Sequence, residues 1–400
     1  MLKKVLPAIL LVALFACDQP NKQGLEAIQS LNDSIKQSYA PDKRVAVYTL
    51  TLSEQANQIQ ITGETDQPQA LSSLITLLKA RGMEIKNEAI ILPDSSVGPW
   101  KQAVVNNSVA NIRSNARHSG ELATQAILGT PLKVLKIKGD FYLVQTPDGY
   151  ISWVDHGGVT LMSSEEFKSW KMATKVVFTK GFGYVYKELN NEFDKIGDMV
   201  LGSQLLLVEE MPSFYKVQYP DKRQGYLKKS ESEVYHTWIQ EVQPSGELVE
   251  LYAKELMGAP YLWGGTSSKG MDCSGFTKTV YFMNGYIIPR DASQQIMAGK
   301  DADPQFTLEN LRKGDLMFFG KKATDSTKQR VTHVAIWLGN DQGEFIHASG
   351  RVKLGSIDPV SKYYDEFNTN RYLGSRRYLG QKDNAIIDLK LMDSETRIKS

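Results

Sequence analysis

Cysteine is scarce in this sequence, charge of one sign is not in excess, and long apolar runs are missing. The 400 residues include only two cysteines, and 47 lysines and arginines stand against 45 aspartates and glutamates. Two cysteines exclude a scaffold held by several disulfides, and balanced charge leaves no electrostatic footprint for nucleic acid. At roughly 100–150 residues per domain, the length predicts a soluble chain of about three or four folded units.

The N-terminus differs from the rest of the chain. Two lysines precede an apolar run at Val5–Phe15, which ends at Ala16 and Cys17. The run is well short of the roughly 20 residues that span a membrane, so it predicts a secretory signal. A small residue directly before a cysteine resembles a lipobox, which implies a lipoprotein signal peptide at 1–16 and a lipidated Cys17. The alternative is an ordinary signal peptide followed by an incidental cysteine.

A small α/β unit is predicted next, over residues 24–100. A polar helix opens it, a second helix is expected at 71–79, and strands are expected at 45–50, 58–61 and 89–92. No chemistry is visible in this unit.

An internal repeat follows. The segment from Phe141 to Asp148 recurs from Phe214 to Asp221, and a Gly-Tyr pair comes after each copy. Short alternating strands with Gly, Pro and Asp turns are typical of small β-barrels. The pattern resembles bacterial SH3-like domains, and it places one at 104–160 and another at 173–235.

Cys273 is the residue of greatest chemical interest, because lipidation of Cys17 would leave it without an intramolecular partner. Apolar residues recur after it at helical spacing, at Phe276, Val280 and Met283, so it lies at or just before a helix N-terminus. The helix dipole and free N–H groups there predict a thiol pKa lowered from ~8.5 toward about 3.5–7.5. A buried, inert cysteine is the alternative.

Two of the five histidines flank a predicted β-hairpin. Alternating strands at 331–338 and 344–349 are joined by a Gly- and Asn-containing turn. Pairing about a turn centred near Asn340 would set His333 and His347 opposite each other, with Cβ atoms ~5 Å apart. One imidazole would then orient the other, which is the nucleophile, base and orienter logic of catalytic triads. Two packing histidines or a metal site are the alternatives, but zinc would want a third ligand nearby.

Six segments in order resemble the NlpC-type cysteine peptidases. They are 260–265, 272–276, 289–291, 314–316, 332–336 and 346–349. The resemblance implies a papain-like α+β catalytic domain at 245–380 and hydrolysis of amide bonds in peptidoglycan stem peptides, with no cofactor and no metal. It implies Cys273 as nucleophile, His333 as base and His347 as orienter, within a multidomain α+β protein of the cell envelope.

Two SH3-like units before this domain resemble the γ-D-glutamyl-L-diamino acid endopeptidases, which act on stem peptides with a free N-terminal L-Ala. By this resemblance Tyr261 donates to the oxyanion, and the pocket is lined by Trp263, Asp272, Ser274, Arg290 and Asp291. A buried ammonium needs a carboxylate. Glu121, the one acid between Asn115 and Gly129, is the candidate, with Tyr150 as the accompanying hydroxyl; both could equally be barrel residues of no catalytic consequence.

Two other functions remain open from the sequence. One is a wall-remodelling endopeptidase that acts on intact peptidoglycan, and the other is a wall-binding lipoprotein without activity. The choice between diaminopimelate and lysine at the cleaved bond is open as well.

Overall fold

The structure is a computed structural model that describes residues 22–55, 58–189 and 191–398. The signal peptide and lipidation predictions, at residues 1–17, lie outside the described residues. The chain divides into two compact units, one formed by described residues up to 43 with 47–91 and the other by 44–46 with 92 onward. No helix in the described part of the chain is both long enough and apolar enough to cross a membrane.

The first unit packs two helices beside a small sheet. Its elements are α1 (Lys22–Tyr39), β1 (Thr51–Gln55), β2 (Gln58–Thr62), β3 (Glu64–Thr65), α2 (Pro68–Ala80), β4 (Glu84–Asn87) and β5 (Ile90–Ile91). Strands β1 and β2 form an antiparallel hairpin, and β4 joins β2 in parallel. The apolar face of α2 buries Leu74 and Leu78 completely, as its spacing of apolar residues dictates.

The strand predicted at 45–50 is wrong. Tyr48 makes only an isolated bridge to Thr65, and the first strand begins at Thr51. The physical reason is that residues 44–46 belong to the second unit, where the Arg44 carbonyl accepts a hydrogen bond from the Ile151 amide at 2.7 Å.

The second unit opens with two β-barrels of the same topology. The first contains a 3₁₀ turn (Ser95–Val97), β6 (Gln102–Val105), β7 (Val109–Arg113), β8 (Leu122–Ile127), β9 (Pro131–Lys138), β10 (Phe141–Gln145), β11 (Ile151–Asp155), a 3₁₀ turn (His156–Gly158) and β12 (Val159–Met162). After α3 (Ser164–Met172), the second contains β13 (Lys175–Phe178), β14 (Phe182–Glu188), β15 (Asn191–Val200), β16 (Gln204–Glu210), β17 (Phe214–Gln218), β18 (Gln224–Lys228), a 3₁₀ turn (Lys229–Glu231) and β19 (Ser232–Val234).

The repeated segments form equivalent strands of the two barrels. The strand order is β12-β6-β9-β10-β11-β7-β8 in the first sheet and β19-β13-β16-β17-β18-β14-β15 in the second. Position by position these orders match, so β10 and β17, where the repeats begin, are equivalent. Each barrel has its own apolar centre, around Val134 and Val144 in the first and around Val185 and Val217 in the second.

The C-terminal part is a papain-like α+β domain, so the multidomain α+β architecture is as predicted. Its elements are α4 (Tyr235–Glu241), α5 (Gly246–Glu255), β20 (Thr266–Ser267), β21 (Gly270–Met271), α6 (Cys273–Phe282), β22 (Tyr286–Ile287), α7 (Ala292–Gln295), β23 (Lys300–Asp301), β24 (Leu316–Lys321), β25 (Arg330–Trp337), β26 (Glu344–Ser349), β27 (Arg351–Ser356), α8 (Glu366–Thr369), β28 (Tyr372–Arg377), β29 (Ile387–Asp388) and α9 (Leu389–Ile398). The main sheet runs β23-β28-β24-β25-β26-β27 and is antiparallel.

The predicted histidine hairpin exists, with its centre one residue later than expected. Ile336 pairs with Ile346 and Trp337 with Phe345, so continuing this register puts His347 across from Ala335. The two histidines are therefore diagonal neighbours on one face. The alternation of β25 is confirmed, because Val334, Ile336 and Leu338 pack in the same buried cluster as Cys273.

Candidate active site

Cys273 is the first residue of α6, as the sequence predicts, and Asp272 is the residue that caps this helix. One carboxylate oxygen of Asp272 accepts from the Gly275 amide at 2.7 Å, and the other accepts from the Gly264 amide at 3.0 Å. The Arg290 guanidinium holds both oxygens, at 3.1 and 2.7 Å. This anchoring fixes the helix end that presents the thiol.

The thiol of Cys273 is buried, at 8% exposure. Burial, with Asp272 as the second cause, raises its pKa to about 12, against the opposing effect of the Val334 and Ser274 backbone amides and Arg290. The pKa lowering predicted from the helix terminus alone is therefore wrong. Desolvation of the thiolate outweighs the helix dipole. The thiol is consequently neutral at neutral pH.

The two histidines form a direct hydrogen bond. His333 Nε2 lies 2.8 Å from His347 Nδ1, and the rings meet edge to face at 5.0 Å. Phe319, opposite His333 on β24, and Phe345 pack against the imidazoles. Because Nε2 of His333 is hydrogen-bonded to His347, only Nδ1 of His333 is left to accept a proton from the thiol. The backbone amide of Val334, the next residue, is one of two amides that act to lower the pKa of Cys273.

Both imidazoles are neutral at neutral pH. Burial, the neighbouring His347, Arg371 and Lys353 lower the pKa of His333 to about 3. Burial lowers the pKa of His347 to about 4, although Asp365 opposes this. A neutral imidazole is the form of His333 that can accept a proton.

A pocket of about 470 Å³ lies between the first barrel and the catalytic domain. Most predicted site residues meet there: Glu121, Tyr150, Tyr261, Trp263, Asp272, Cys273, Ser274 and Asp291 all line it. Arg290 does not, since it is only 1% exposed and lies beneath the wall. Its Nε donates to Thr124 of the first barrel at 2.9 Å, so Arg290 supports Asp272 and binds the barrel.

Glu121 reaches the pocket from the end of a loop, directly before β8. The predicted loop at 115–129 is therefore wrong in its second half, because Leu122–Ile127 form β8. Trp263 Nε1 donates to Glu121 Oε1 at 2.8 Å, and both side chains are exposed. Gly264, with φ +78°, permits this close approach, because a Cβ there would lie 2.2 Å from the Leu122 carbonyl oxygen.

Tyr261 lines the same pocket and keeps its proton. Burial, with Cys273 and Asp272 as further causes, raises the pKa of Tyr261 to about 12. The hydroxyl is therefore a hydrogen-bond donor at neutral pH, as an oxyanion ligand must be.

Two residues of the site carry no signal in the sequence. Arg44, at the start of the 44–46 segment, lines the pocket, and its Nη1 donates to Asp291 at 2.8 Å and to Ser293 at 2.9 Å. Asp365 lies behind the histidine pair, with a carboxylate oxygen 3.9 Å from the buried Nε2 of His347. Only the tertiary fold brings these residues to the site.

A second cavity, of about 340 Å³, adjoins the first, and Tyr261 and Thr332 line both. Its walls are Tyr261, Thr332, His333, Ala348, Ser349, Gly350, Phe367, Asn368 and Arg371. We call the first cavity the barrel-side pocket and the second the histidine-side pocket. Among the described residues, no group of three or more histidine, cysteine, aspartate or glutamate side chains could hold a metal ion.

A buried thiol at a helix N-terminus, next to a strand that carries one of two hydrogen-bonded histidines, defines a papain-like cysteine peptidase. Residues 258–377 match the NlpC/P60 family, and residues 112–158 match the bacterial dipeptidyl-peptidase SH3 domain. The chain belongs to the NlpC/P60 family.

Relatives of known name match about two thirds of the chain. The chain is 32% identical over 272 residues to γ-D-glutamyl-L-lysine dipeptidyl-peptidase of Bacillus cereus, covering 66% of this chain and 77% of that one. It is 29% identical over 274 residues to dipeptidyl-peptidase 6 of Lysinibacillus sphaericus, covering 66% and 94%. A crystal structure of an NlpC/P60 family protein from Bacillus cereus matches with a TM-score of 0.59 and 27% identity, over 70% of this chain and 99% of that chain.

Proposed function

We propose that this peptidase hydrolyses the bond between γ-D-Glu and the following diamino acid in peptidoglycan stem peptides with a free N-terminal L-Ala. The main support for this proposal is the barrel-side pocket, a cavity of about 470 Å³ that is lined by both Glu121 of the first barrel and Cys273. The names of the Bacillus and Lysinibacillus relatives support the same bond class.

The pocket geometry suits a short acyl portion with a terminal ammonium. Glu121 and the Tyr150 hydroxyl lie on its barrel wall, and a carboxylate with a further acceptor is what an ammonium needs on leaving water. Hydrogen bonds join the barrel to the catalytic domain around this wall. The Thr266 amide donates to Gln125 at 2.9 Å, and Arg290 donates to Thr124. A longer chain or an N-acyl group would meet that wall.

The proposed mechanism starts from a neutral Cys273 thiol and a neutral His333 imidazole. His333 takes the thiol proton as Sγ of Cys273 attacks the γ-carbonyl carbon, and the oxyanion receives hydrogen bonds from Tyr261 and the Cys273 amide. The imidazolium then returns its proton to the leaving amine. Water, deprotonated by the same imidazole, hydrolyses the thioester and restores the thiol.

The decisive experiment is product analysis by mass spectrometry. L-Ala-γ-D-Glu-diaminopimelate, its N-acetylated form and intact sacculi are each incubated with the enzyme. Release of L-Ala-D-Glu from the free peptide alone is expected. Efficient release of peptides from sacculi would overturn the proposal in favour of wall remodelling, and a lack of hydrolysis of all three would leave the non-catalytic alternative.

Glu121→Ala tests the ammonium site directly. We expect KM for the free peptide to rise by about tenfold or more, because a charge-assisted contact is lost. The rate of Cys273 alkylation should not change. Asp140→Ala is the matched control, since Asp140 is an exposed acid of the same barrel that does not line the pocket. An unchanged KM in Glu121→Ala would remove this role from Glu121.

We further propose that the mature protein is a lipoprotein of the cell envelope, anchored to a membrane through Cys17. The lysines, the apolar run and the small residue before Cys17 support this location. A substrate derived from the cell wall is consistent with it.

A further inference from the structure

The histidine-side pocket has a chemical character of its own. Phe367 is 69% exposed on its wall, and the guanidinium of Arg371 lies 4.3 Å from the centre of that ring. Arg371 is the only lining residue with a permanent charge. The pocket therefore combines one fixed cation with one apolar surface.

Arg371 is held in place and incompletely bonded. Its Nη2 donates to Thr332 Oγ1 at 2.8 Å, whereas its Nε is buried and has no hydrogen-bond partner in the described part of the chain. A buried charged donor without an acceptor is costly, and such groups are rare in folded proteins. A bound anion with oxygen acceptors beside the guanidinium would offset its positive charge.

The direction of the reaction determines what enters this pocket. His333, which receives the thiol proton, must give it to the leaving amine, so the leaving group lies on the side of His333. His333 lines the histidine-side pocket, and the candidate ammonium ligand Glu121 lines the barrel-side pocket. The acyl portion and the leaving portion are thus assigned to opposite cavities.

We propose that the histidine-side pocket binds the leaving diamino acid and that Arg371 binds a carboxylate of it. This rests on the proposed function. The carboxylate is either the main-chain α-carboxylate or the side-chain carboxylate of diaminopimelate, and Phe367 covers the aliphatic part of the side chain. A carboxylate at this point also offsets the positive charge of Arg371, which is one cause of the lowered pKa of His333.

Three tripeptides distinguish whether Arg371 binds the α-carboxylate or the side-chain carboxylate. They share L-Ala-γ-D-Glu and end in L-Lys with a free carboxylate, in L-Lys amide, or in meso-diaminopimelate with its α-carboxylate amidated. If Arg371 binds the α-carboxylate, the free acid is preferred over the amide by roughly tenfold or more in kcat/KM. If it binds the side-chain carboxylate, the amidated diaminopimelate peptide is preferred over L-Lys amide by a similar factor.

Arg371→Gln should abolish whichever preference the wild type shows, and Arg371→Lys should restore part of it. Lys362→Gln is the matched control, because Lys362 also lies on an aromatic ring, 4.8 Å from that of Tyr363, but lines neither pocket. The ratio of rates on two substrates is unaffected by a general loss of active enzyme. Binding of the same peptides to Cys273→Ala, measured by calorimetry, gives a second readout without catalysis.

Equal kcat/KM for all three peptides in the wild type, or a preference that survives in Arg371→Gln, would overturn the proposal while hydrolysis of the γ-D-Glu bond stands. If none of the three peptides is cut, the proposed function fails and this inference fails with it.

Discussion

The hydrogen bond between His333 and His347 gives two chemically identical side chains different positions in the site. His333 Nε2 bonds to His347 Nδ1 at 2.8 Å, which leaves His333 Nδ1 for the thiol. A proton on Nε2 of His333 then requires the His347 proton to be on its own Nε2. That nitrogen has no hydrogen-bond partner among the described residues, and a carboxylate oxygen of Asp365 lies 3.9 Å from it. In the proposed mechanism His333 is therefore the base, and His347 orients it.

Substitutions of Cys273, His333 and His347 should reduce activity to different extents, according to these proposed roles. Cys273→Ala and Cys273→Ser abolish hydrolysis, and His333→Ala loses at least roughly 10³-fold in kcat, because nucleophile and base act as a unit. His347→Asn retains measurable activity, reduced by roughly 10²-fold, since its amide oxygen still accepts from His333. Rates on the free tripeptide are compared, with circular dichroism as the control for folding. Complete loss in a folded His347→Asn would show that His347 does more than orient.

The raised thiol pKa makes a prediction about alkylation. Because burial raises the pKa of Cys273 to about 12, the thiolate fraction grows about tenfold per pH unit through the neutral range. The iodoacetamide rate of the empty enzyme should rise with that slope from about pH 6 to about pH 9. A short cysteine peptide, measured in parallel, should level off near its ordinary pKa. A rate that is already constant below pH 7 would mean that a thiolate–imidazolium pair exists before substrate binds.

At the level of elements, the N-terminus of α6 depends on one buried ion pair. Asp272 and Arg290 are 7% and 1% exposed, and the carboxylate joins the helix end to the Gly264 amide. Neither charge could be buried alone without a large desolvation penalty. The pair therefore connects α6, the segment before α7 and, through Thr124, the first barrel.

Breaking the buried Asp272–Arg290 ion pair should lower the free energy of unfolding more than breaking an ion pair on the surface does. Arg290→Gln is expected to lower the free energy of unfolding by about 3–5 kcal/mol, because it leaves the Asp272 carboxylate buried and uncompensated. Lys187→Gln, which removes an exposed partner of Asp194 at 3.5 Å, should cost less than about 1 kcal/mol. Urea unfolding followed by tryptophan fluorescence compares the two. Similar losses would mean that solvent reaches the Asp272 site.

On the scale of the whole molecule, the barrel-side pocket exists only where two domains meet. The first barrel contributes Glu121 and Tyr150, and the catalytic domain contributes Cys273 and Tyr261. Two buried hydrogen bonds, donated by the amide and the hydroxyl of Thr266 to Gln125, hold the two surfaces together. The first barrel thus forms one wall of the pocket that contains Cys273.

Membrane attachment is testable on the full chain. The wild type should sediment with membranes, and Cys17→Ala should be soluble, because about three acyl chains anchor stably where a single chain binds only marginally. Cell fractionation followed by immunoblotting measures this. Cys273→Ala is the matched control and should remain with the membranes. A wild-type protein found wholly in the soluble fraction would contradict the anchor.

Local sequence patterns determined a large part of this protein. Helical spacing after Cys273 placed it at the start of α6, because the period of apolar residues is a property of the helix itself. The alternation in β25 and β26 put both histidines on one face for the same kind of reason. The recurrence of Phe141–Asp148 at Phe214–Asp221 predicted two barrels of one plan.

Tertiary structure alone decided the rest. The sign of the thiol pKa shift depends on burial, which comes from packing of α6 against the sheet and not from the helix terminus. The hairpin register depends on β24 and β27 as well as on the turn, so its centre lay one residue from the predicted position. Arg44 meets Asp291 across 247 positions of chain. No local pattern encodes such a contact, because the free energy that brings these residues together is that of the whole packed unit.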